Sequence, residues 1–223
     1  MVASPKMMPK AELEDPLIYL PRSSVLEYRK GQVIYGRNQP STNIYLVVDG
    51  KVKVSRLTGN GREVVVDIYQ TDEFFGESAF LSPGSRSDEA VAFENAKVMT
   101  WTSAEIVHIT TTLPRLALAL LQFVVQRNID LTHRIESFSV DDISRRIART
   151  LIYFSERMGI PEADGSTRLI PLTHELLAQY VGTSREVITL HMNRLRREGY
   201  VGYSRKGMIL YRAALREWLL QAA

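Results

Sequence analysis

The sequence predicts an α+β chain in three parts. These are an N-terminal antiparallel β-roll, a long central helix, and a C-terminal winged helix-turn-helix. Three observations carry the prediction. Short runs rich in Val, Ile and Tyr, punctuated by glycines, occupy about residues 24–102. From Ala117 to Phe138 apolar residues recur at alternating steps of four and three. The stretch THELLAQYVGTSREVITLHMNRL, residues 173–195, has the spacing of two helices crossing at a tight turn.

Composition narrows the function classes. The 223-residue chain has no cysteine. Disulfides, thiolate zinc sites and cysteine-ligated iron–sulfur clusters are therefore excluded. His108, His133, His174 and His191 are scattered, without an HExxH or i,i+4 pair, so a metal site is not expected. No apolar run approaches the roughly 18–20 residues a membrane helix needs. MVASPKMMPK lacks a leader's apolar core, so a cytoplasmic protein without a membrane partner is expected. Charge is divided unevenly. Residues 1–144 hold 15 Lys and Arg against 18 Asp and Glu, and residues 145–223 hold 13 against 7. A basic C-terminal third points to a polyanion partner for that third.

The elements follow in order. Residues 1–21, with Pro5, Pro9, Pro16 and Pro21, read as a partly ordered arm. A sensing roll is expected over 22–111. Its strands are QVIYG, NIYLVVDG, KVKVSRL, REVVVDIY and AKVMTWT, with turns at Gly31, Gly36, Gly50, Gly59, Gly61 and Gly76. LTGNGRE is a hairpin signal, because Asn-Gly suits the positive φ of a tight turn.

A dimerisation helix is expected over 112–139. Its seam is Ala117, Leu121, Val124, Asn128, Leu131, Ile135 and Phe138, the repeat of a coiled coil. A lone Asn in such a seam fixes register. Leu116, Leu120 and Phe123 form a second apolar edge that can pack on the roll. A helix with two apolar stripes has two partners to satisfy, which favours a homodimer over a single amphipathic helix.

The C-terminal unit is expected over 140–223. FSVDDIS reads as a hinge, and RRIARTLIYFSERMG as a helix that Gly159 ends. Two further helices, about 173–180 and 184–198, join around Gly182. GYVGYSRKGMILY reads as a two-stranded wing. Ala178 keeps the helix crossing close, and Leu177, Val181 and Ile188 supply buried contacts. Thr183 and Glu186 have the spacing of a capping box. Arg185, Glu186 and Thr189 sit where a recognition helix faces base edges. Arg can grip guanine with two hydrogen bonds, and Glu can accept from cytosine N4. Arg194, Arg196, Arg197, Arg205 and Lys206 are candidate phosphate neutralisers.

These residues resemble the cAMP receptor protein/fumarate–nitrate regulator family of bacterial transcription regulators, over roughly 22–212. GQVIYGRNQPSTNIYLVVDGKVKV looks like the start of the family's β-roll. DEFFGESAF with RSDEAVAFENAKV looks like its effector segment, and TSREVITLHMNRL like its recognition helix. The resemblance implies a homodimer that binds a palindromic site on double-stranded DNA and contacts RNA polymerase, commonly as an activator. It implies that Ser184, Arg185 and Glu186 read the half-site. Thr173 matches a phosphate-contacting Thr of the family, and Lys206 falls where a wing Lys touches backbone; His174 and Thr183 are further DNA-binding candidates. Leu190 stands where the family usually has Arg; it cannot donate to guanine but can meet a thymine methyl. His191 stands at an apolar position, and a packed, satisfied His is the favoured reading.

In cAMP-binding relatives a Gly-Glu pair holds the ribose and an Arg-Ser pair the phosphate. Gly76 and Glu77, with Ser78, and Arg86 and Ser87 match those places, and Thr132 matches an adenine contact. The resemblance therefore implies cAMP or another small anionic effector, with no iron–sulfur cluster and no haem. Three departures count against cAMP. The loop between the two pairs is one residue short, Asp88 follows Arg86 and Ser87, and Leu131 replaces a hydroxyl. An effectorless or differently liganded roll with a structural Glu77–Arg86 ion pair is the alternative. The function readings are a ligand-switched regulator, a ligand-independent regulator with a vestigial pocket, and a cyclic-nucleotide-binding module acting on a protein partner. No nucleophile–base pair or P-loop is visible, so no enzyme is expected.

Overall fold

The computed structural model describes residues 14–81, 84–204 and 207–221. Eight strands build the roll as two four-stranded antiparallel sheets. They are β1 Val25–Tyr28, β2 Val33–Tyr35, β3 Asn43–Asp49, β4 Lys51–Leu57, β5 Glu63–Gln70, β6 Phe74–Phe75, β7 Asp88–Ala92 and β8 Ala96–Thr102. One sheet has the order β1-β8-β3-β6 and the other β2-β7-β4-β5. Alternation explains the fold of β4, where Val52 and Val54 are buried while Lys51 and Lys53 reach out to Glu94 and Glu63. The β4–β5 hairpin forms where LTGNGRE predicts it. Its loop has three residues: Thr58 N–H donates to the Arg62 carbonyl, and of the Asn-Gly pair only Gly61 takes a positive φ, +78°.

The central helical region is interrupted once. α1 Ser103–Thr112 starts on a reciprocal cap between Thr102 and Glu105. Leu113 breaks the run, and α2 spans Pro114–Val140 with the proline in its first turn, where no N–H is needed. The second apolar edge of α2 packs on the roll as expected. Leu116 is fully buried with Ile44, Leu46, Phe74, Trp101 and Ile106, and Leu120 and Phe123 pack beside them. The arm joins this surface at its end, where Leu20 is buried and Trp101 Nε1 donates to the Pro21 carbonyl at 2.9 Å.

Beyond α2 the chain turns at Asp141, whose extended backbone stops the helix. The Asp142 carboxylate caps α3 Ile143–Met158 by accepting from Arg145 N–H. Gly159 does end α3, but with extended backbone (φ −83°), not in a left-handed cap. Glycine is needed because a Cβ would lie 2.3 Å from both the Ser155 carbonyl oxygen and Thr167 Cγ2. Then follow β9 Ile160–Pro161, β10 Thr167–Leu169, α4 His174–Val181, α5 Arg185–Arg197, β11 Val201–Ser204, β12 Gly207–Leu210 and α6 Arg212–Gln221. The two-stranded wing is part of a four-stranded sheet, β11-β12-β10-β9. α6 is not foreseen in the sequence; it packs Leu215 and Leu219 into the C-terminal core.

That core does not stop at the hinge. Val65 and Ile68 of β5 lie in the same cluster as Ile147, Leu151, Phe154, Leu177, Tyr180 and Ile188. The roll and the helix-turn-helix unit therefore share a hydrophobic interior.

Candidate nucleic-acid interface and roll interior

The two helices of the turn are set by one glycine and two hydroxyl caps. Thr173 caps α4 by accepting from Leu176 N–H at 3.1 Å. Gly182 ends α4 in the left-handed region, φ +76°, where a side chain is strained. Both Gly182 and Thr183 then donate to the Ala178 carbonyl. This extra turn residue moves the start of α5 by one position. Ser184, not Thr183, is the cap, and it accepts from Val187 N–H. The expected Thr183–Glu186 capping box is thereby corrected, and Glu186 stays exposed. Its carboxyl is held below the ordinary range by its own backbone N–H and the Ser184 hydroxyl.

α5 divides cleanly into an inner and an outer face. Ile188, Met192 and Leu195 are buried. His191 is half-buried, with Nδ1 2.7 Å from Ser144 Oγ, so the packed, satisfied reading holds. The Thr189 hydroxyl donates to the Arg185 carbonyl at 2.8 Å and lies 2.8 Å from His174 Nδ1. These contacts tie α5 to α4 and commit the one hydroxyl proton of Thr189. Ser184, Arg185, Glu186, Leu190, Arg194 and Arg197 form the exposed face. Among the described residues, no hydrogen bond or ion pair engages the Arg185 guanidinium, whereas Arg194 reaches Glu198 at 2.8 Å. Arg205 and Lys206 lie outside the described residues.

The seam residues of α2 lie on the surface. Leu121 is 58% exposed and Ile135 64%, and Ala117, Val124, Asn128, Leu131 and Phe138 are exposed with them. Val125, Ile129 and Val140 of α2 are exposed as well. Phe138 also backs the turn: a Cβ on Gly182 would sit 3.4 Å from its ring.

Three of the expected effector residues, Gly76, Ser78 and Arg86, meet inside the roll. Gly76 is left-handed (φ +84°), and a Cβ there would crowd Tyr45, the Asn43 carbonyl and Arg86. Arg86 is 2% exposed and is already occupied. Its guanidinium stacks 3.8 Å from the Tyr35 ring centroid and donates to the Asn43 carbonyl at 2.6 Å and to Ser78 Oγ at 3.4 Å. The Glu77–Arg86 ion pair of the alternative reading does not form. Glu77 lies 3.6 Å from Arg127 on α2, because Tyr35 and Asn43 hold Arg86. Tyr35, Tyr45 and Phe75 stack on one another with centroids 5.1–6.1 Å apart and fill this end of the roll. Burial, then the nearby Asp88 charge, pushes the Tyr35 phenol up. Ser87 is exposed beside Asp88, and Thr132 is exposed on α2 with its hydroxyl on the Asn128 carbonyl. These two are not drawn into the Arg86 cluster.

Sequence reasoning missed the joint between roll and helices. Asp67 of β5, 5% exposed, accepts from Arg157 and Arg127. Arg134 donates to the Val65, Val66 and Tyr180 carbonyls and stacks on Tyr180 at 3.9 Å. The available signal was the seven-residue spacing of Arg127 and Arg134, which puts both on one face of α2.

Comparison with known proteins agrees with this geometry. Residues 25–111 match the cyclic nucleotide-binding domain, and residues 145–218 match the Crp-like helix-turn-helix domain. A global nitrogen regulator of Synechococcus elongatus is 27% identical over 188 residues, covering 83% of this chain and 84% of its own. A CRP-like cAMP-activated global transcriptional regulator of Mycobacterium tuberculosis is 23% identical over 185 residues, 83% of each chain. In fold, the chain superimposes on FixK2 from Bradyrhizobium japonicum with a TM-score of 0.76 at 21% identity, covering 88% of this chain and 97% of that one. Among the described residues no helix is long and apolar enough to cross a membrane. With a cyclic nucleotide-binding domain followed by a Crp-like helix-turn-helix domain, the chain belongs to the cAMP receptor protein/fumarate–nitrate regulator family, whose members are transcription regulators with a helix-turn-helix DNA-binding domain and not enzymes.

Proposed function

We propose that the protein is a cytoplasmic homodimer that binds a palindromic promoter site on double-stranded DNA and acts on transcription through RNA polymerase. Residues 22–111 form the sensing roll, 112–139 the dimerisation helix and 140–223 the DNA-binding unit, with 1–21 as an arm. One observation carries the reading: the outer face of α5 opens on an exposed Arg185 that no described residue pairs, beside Glu186, while Ile188, Met192 and Leu195 anchor its inner face. A side chain that protein contacts leave free at a helix N-terminus is available for base edges.

In this reading Arg185 and Glu186 read bases. Thr173, His174, Thr183, Ser184, Arg194 and Lys206 fix the backbone, and Thr189 holds α5 on α4. The exposed seam Ala117, Leu121, Val124, Asn128, Leu131, Ile135 and Phe138 supports the dimer, because an apolar strip this long is costly in water. Two-fold pairing would set the recognition helices about 34 Å apart, one turn of DNA.

Gly76, Glu77, Ser78, Arg86, Ser87 and Thr132 are the candidate contacts for cAMP or another small anionic effector. A second reading, a ligand-independent regulator, is favoured by the state of Arg86. The Asn43 carbonyl and the Ser78 hydroxyl already engage two of its N–H groups, and the Asp88 carboxylate two residues on disfavours an anion nearby. Fluorescence-anisotropy titration of a TGTGA-type palindrome and a scrambled duplex, at fixed salt with and without cAMP, tests both. Specific binding that needs cAMP supports the effector reading; equal specific binding in both arms supports the second. No discrimination between the duplexes overturns sequence-specific binding to this site class.

A further inference from the structure

We infer that Leu190 is a specificity-determining residue that reads the C5-methyl group of a thymine in the major groove. The inference rests on the reading of α5 as the recognition helix and deepens it by naming the base contact.

Leu190 stands one helical turn after Glu186, on the same outer face. It is 64% exposed, whereas Ile188, Met192 and Leu195 of the same helix are all buried. It is the one large apolar side chain of α4 and α5 among the described residues that protein leaves uncovered. Its neighbour Thr189 has no hydroxyl proton left to donate to a base edge. The Thr189 hydroxyl is committed to the Arg185 carbonyl and to His174 Nδ1. The outer face thus presents Arg185 and Glu186 in the first turn, a bare leucine in the second, and Asn193, Arg194 and Arg197 beyond.

Leucine neither donates nor accepts a hydrogen bond. Against a hydrogen-bonding base edge it would bury that edge unpaired, which is unfavourable. Thymine is the unmodified base that offers an apolar group in the major groove, its C5-methyl. A leucine among charged neighbours therefore selects a thymine at its position and disfavours cytosine and the purines.

The test starts from a duplex selected by the full-length protein out of random-sequence DNA and bound more tightly than its scrambled counterpart. Symmetric thymine pairs are replaced, one pair at a time, by deoxyuridine, which keeps every hydrogen-bonding group and loses the methyl. One pair is expected to weaken binding about tenfold, the equivalent of two lost methyl contacts. The same replacement should leave Leu190→Ala binding unchanged, because the leucine that felt the methyl is gone. Circular dichroism of Leu190→Ala should match the parent, given the exposure of the site. Absence of a sensitive pair overturns the inference, as does a sensitivity that persists in Leu190→Ala. Uniform weakening of all duplexes by Leu190→Ala would mean a sugar or protein contact and overturns it also. If no duplex is selected over its scramble, the recognition-helix reading falls first, and this inference with it.

Discussion

Arg157 of α3 grips Asp67 of β5 across the junction between the roll and the helix-turn-helix unit. Its Nη1 lies 2.8 Å from Oδ1 and 2.9 Å from Oδ2. Its Nη2 reaches Glu73, and Tyr153 and Arg127 close around the same Asp67 carboxylate. The surrounding negative charges raise the Arg157 pKa further, against the effect of its burial. The orientation of the C-terminal unit is thus held by buried charge as well as by the shared core.

Asp67→Ala leaves two arginines, Arg127 and Arg157, without their common partner. Removing one member of a buried ion pair costs about 3–5 kcal/mol. The urea midpoint should fall accordingly in equilibrium denaturation. A change under about 1 kcal/mol, the level of a surface pair, would show that the joint is solvated.

Glu63 gives the joint an acid limit. Burial raises its pKa, but the Lys53 ammonium and the Gln179 amide override this and hold the carboxyl below its ordinary range. A depressed carboxylate contributes stability above its unfolded pKa and loses it as pH falls through the folded value. Between about pH 5 and 3 the parent should therefore lose more stability than Glu63→Gln. Parallel curves for the two proteins would remove Glu63 from the account.

The dimer proposal is tested at two seam positions on either side of Asn128. Leu121→Glu with Ile135→Glu places charges where two copies would meet. Analytical ultracentrifugation should show a dimer for the parent and a monomer for the double variant, with specific DNA affinity reduced more than tenfold. Both sites are exposed, so folding should survive. An unchanged dimer would move the interface elsewhere.

Arg185→Ala should cost about 1–3 kcal/mol of specific binding and relax preference at one base pair per half-site. Arg197→Ala, changed as a phosphate contact, should weaken all duplexes alike and reduce the salt slope by about one. Competition binding against single-pair substitutions separates the two. Intact discrimination in Arg185→Ala would remove that residue from the reading set.

Much of the chain was legible because its signals are local. The strands from Asn43 to Leu57 show their alternation directly, and the hairpin at Gly61 and the glycine at 182 mark turns that few other residues accept. The cap at α5 was misplaced by one residue because Thr183 and Ser184 are chemically equivalent caps. Only the donation of Thr183 N–H to the Ala178 carbonyl decides between them. α6 carried no flanking turn signal strong enough to announce it.

The site divides in the same way. The sequence by itself determined the basic character of the C-terminal third, the identity of the outer face of α5 and the apolar seam of α2, since composition and helical period fix which residues share a face. Only the tertiary structure decided that Arg86 lies stacked on Tyr35 rather than beside Glu77, and that Asp67, Arg127, Arg134 and Arg157 lock the two halves together. Those contacts join residues up to 90 positions apart. Long-range pairs of that kind depend on how the roll and the helices pack, and no local period records it.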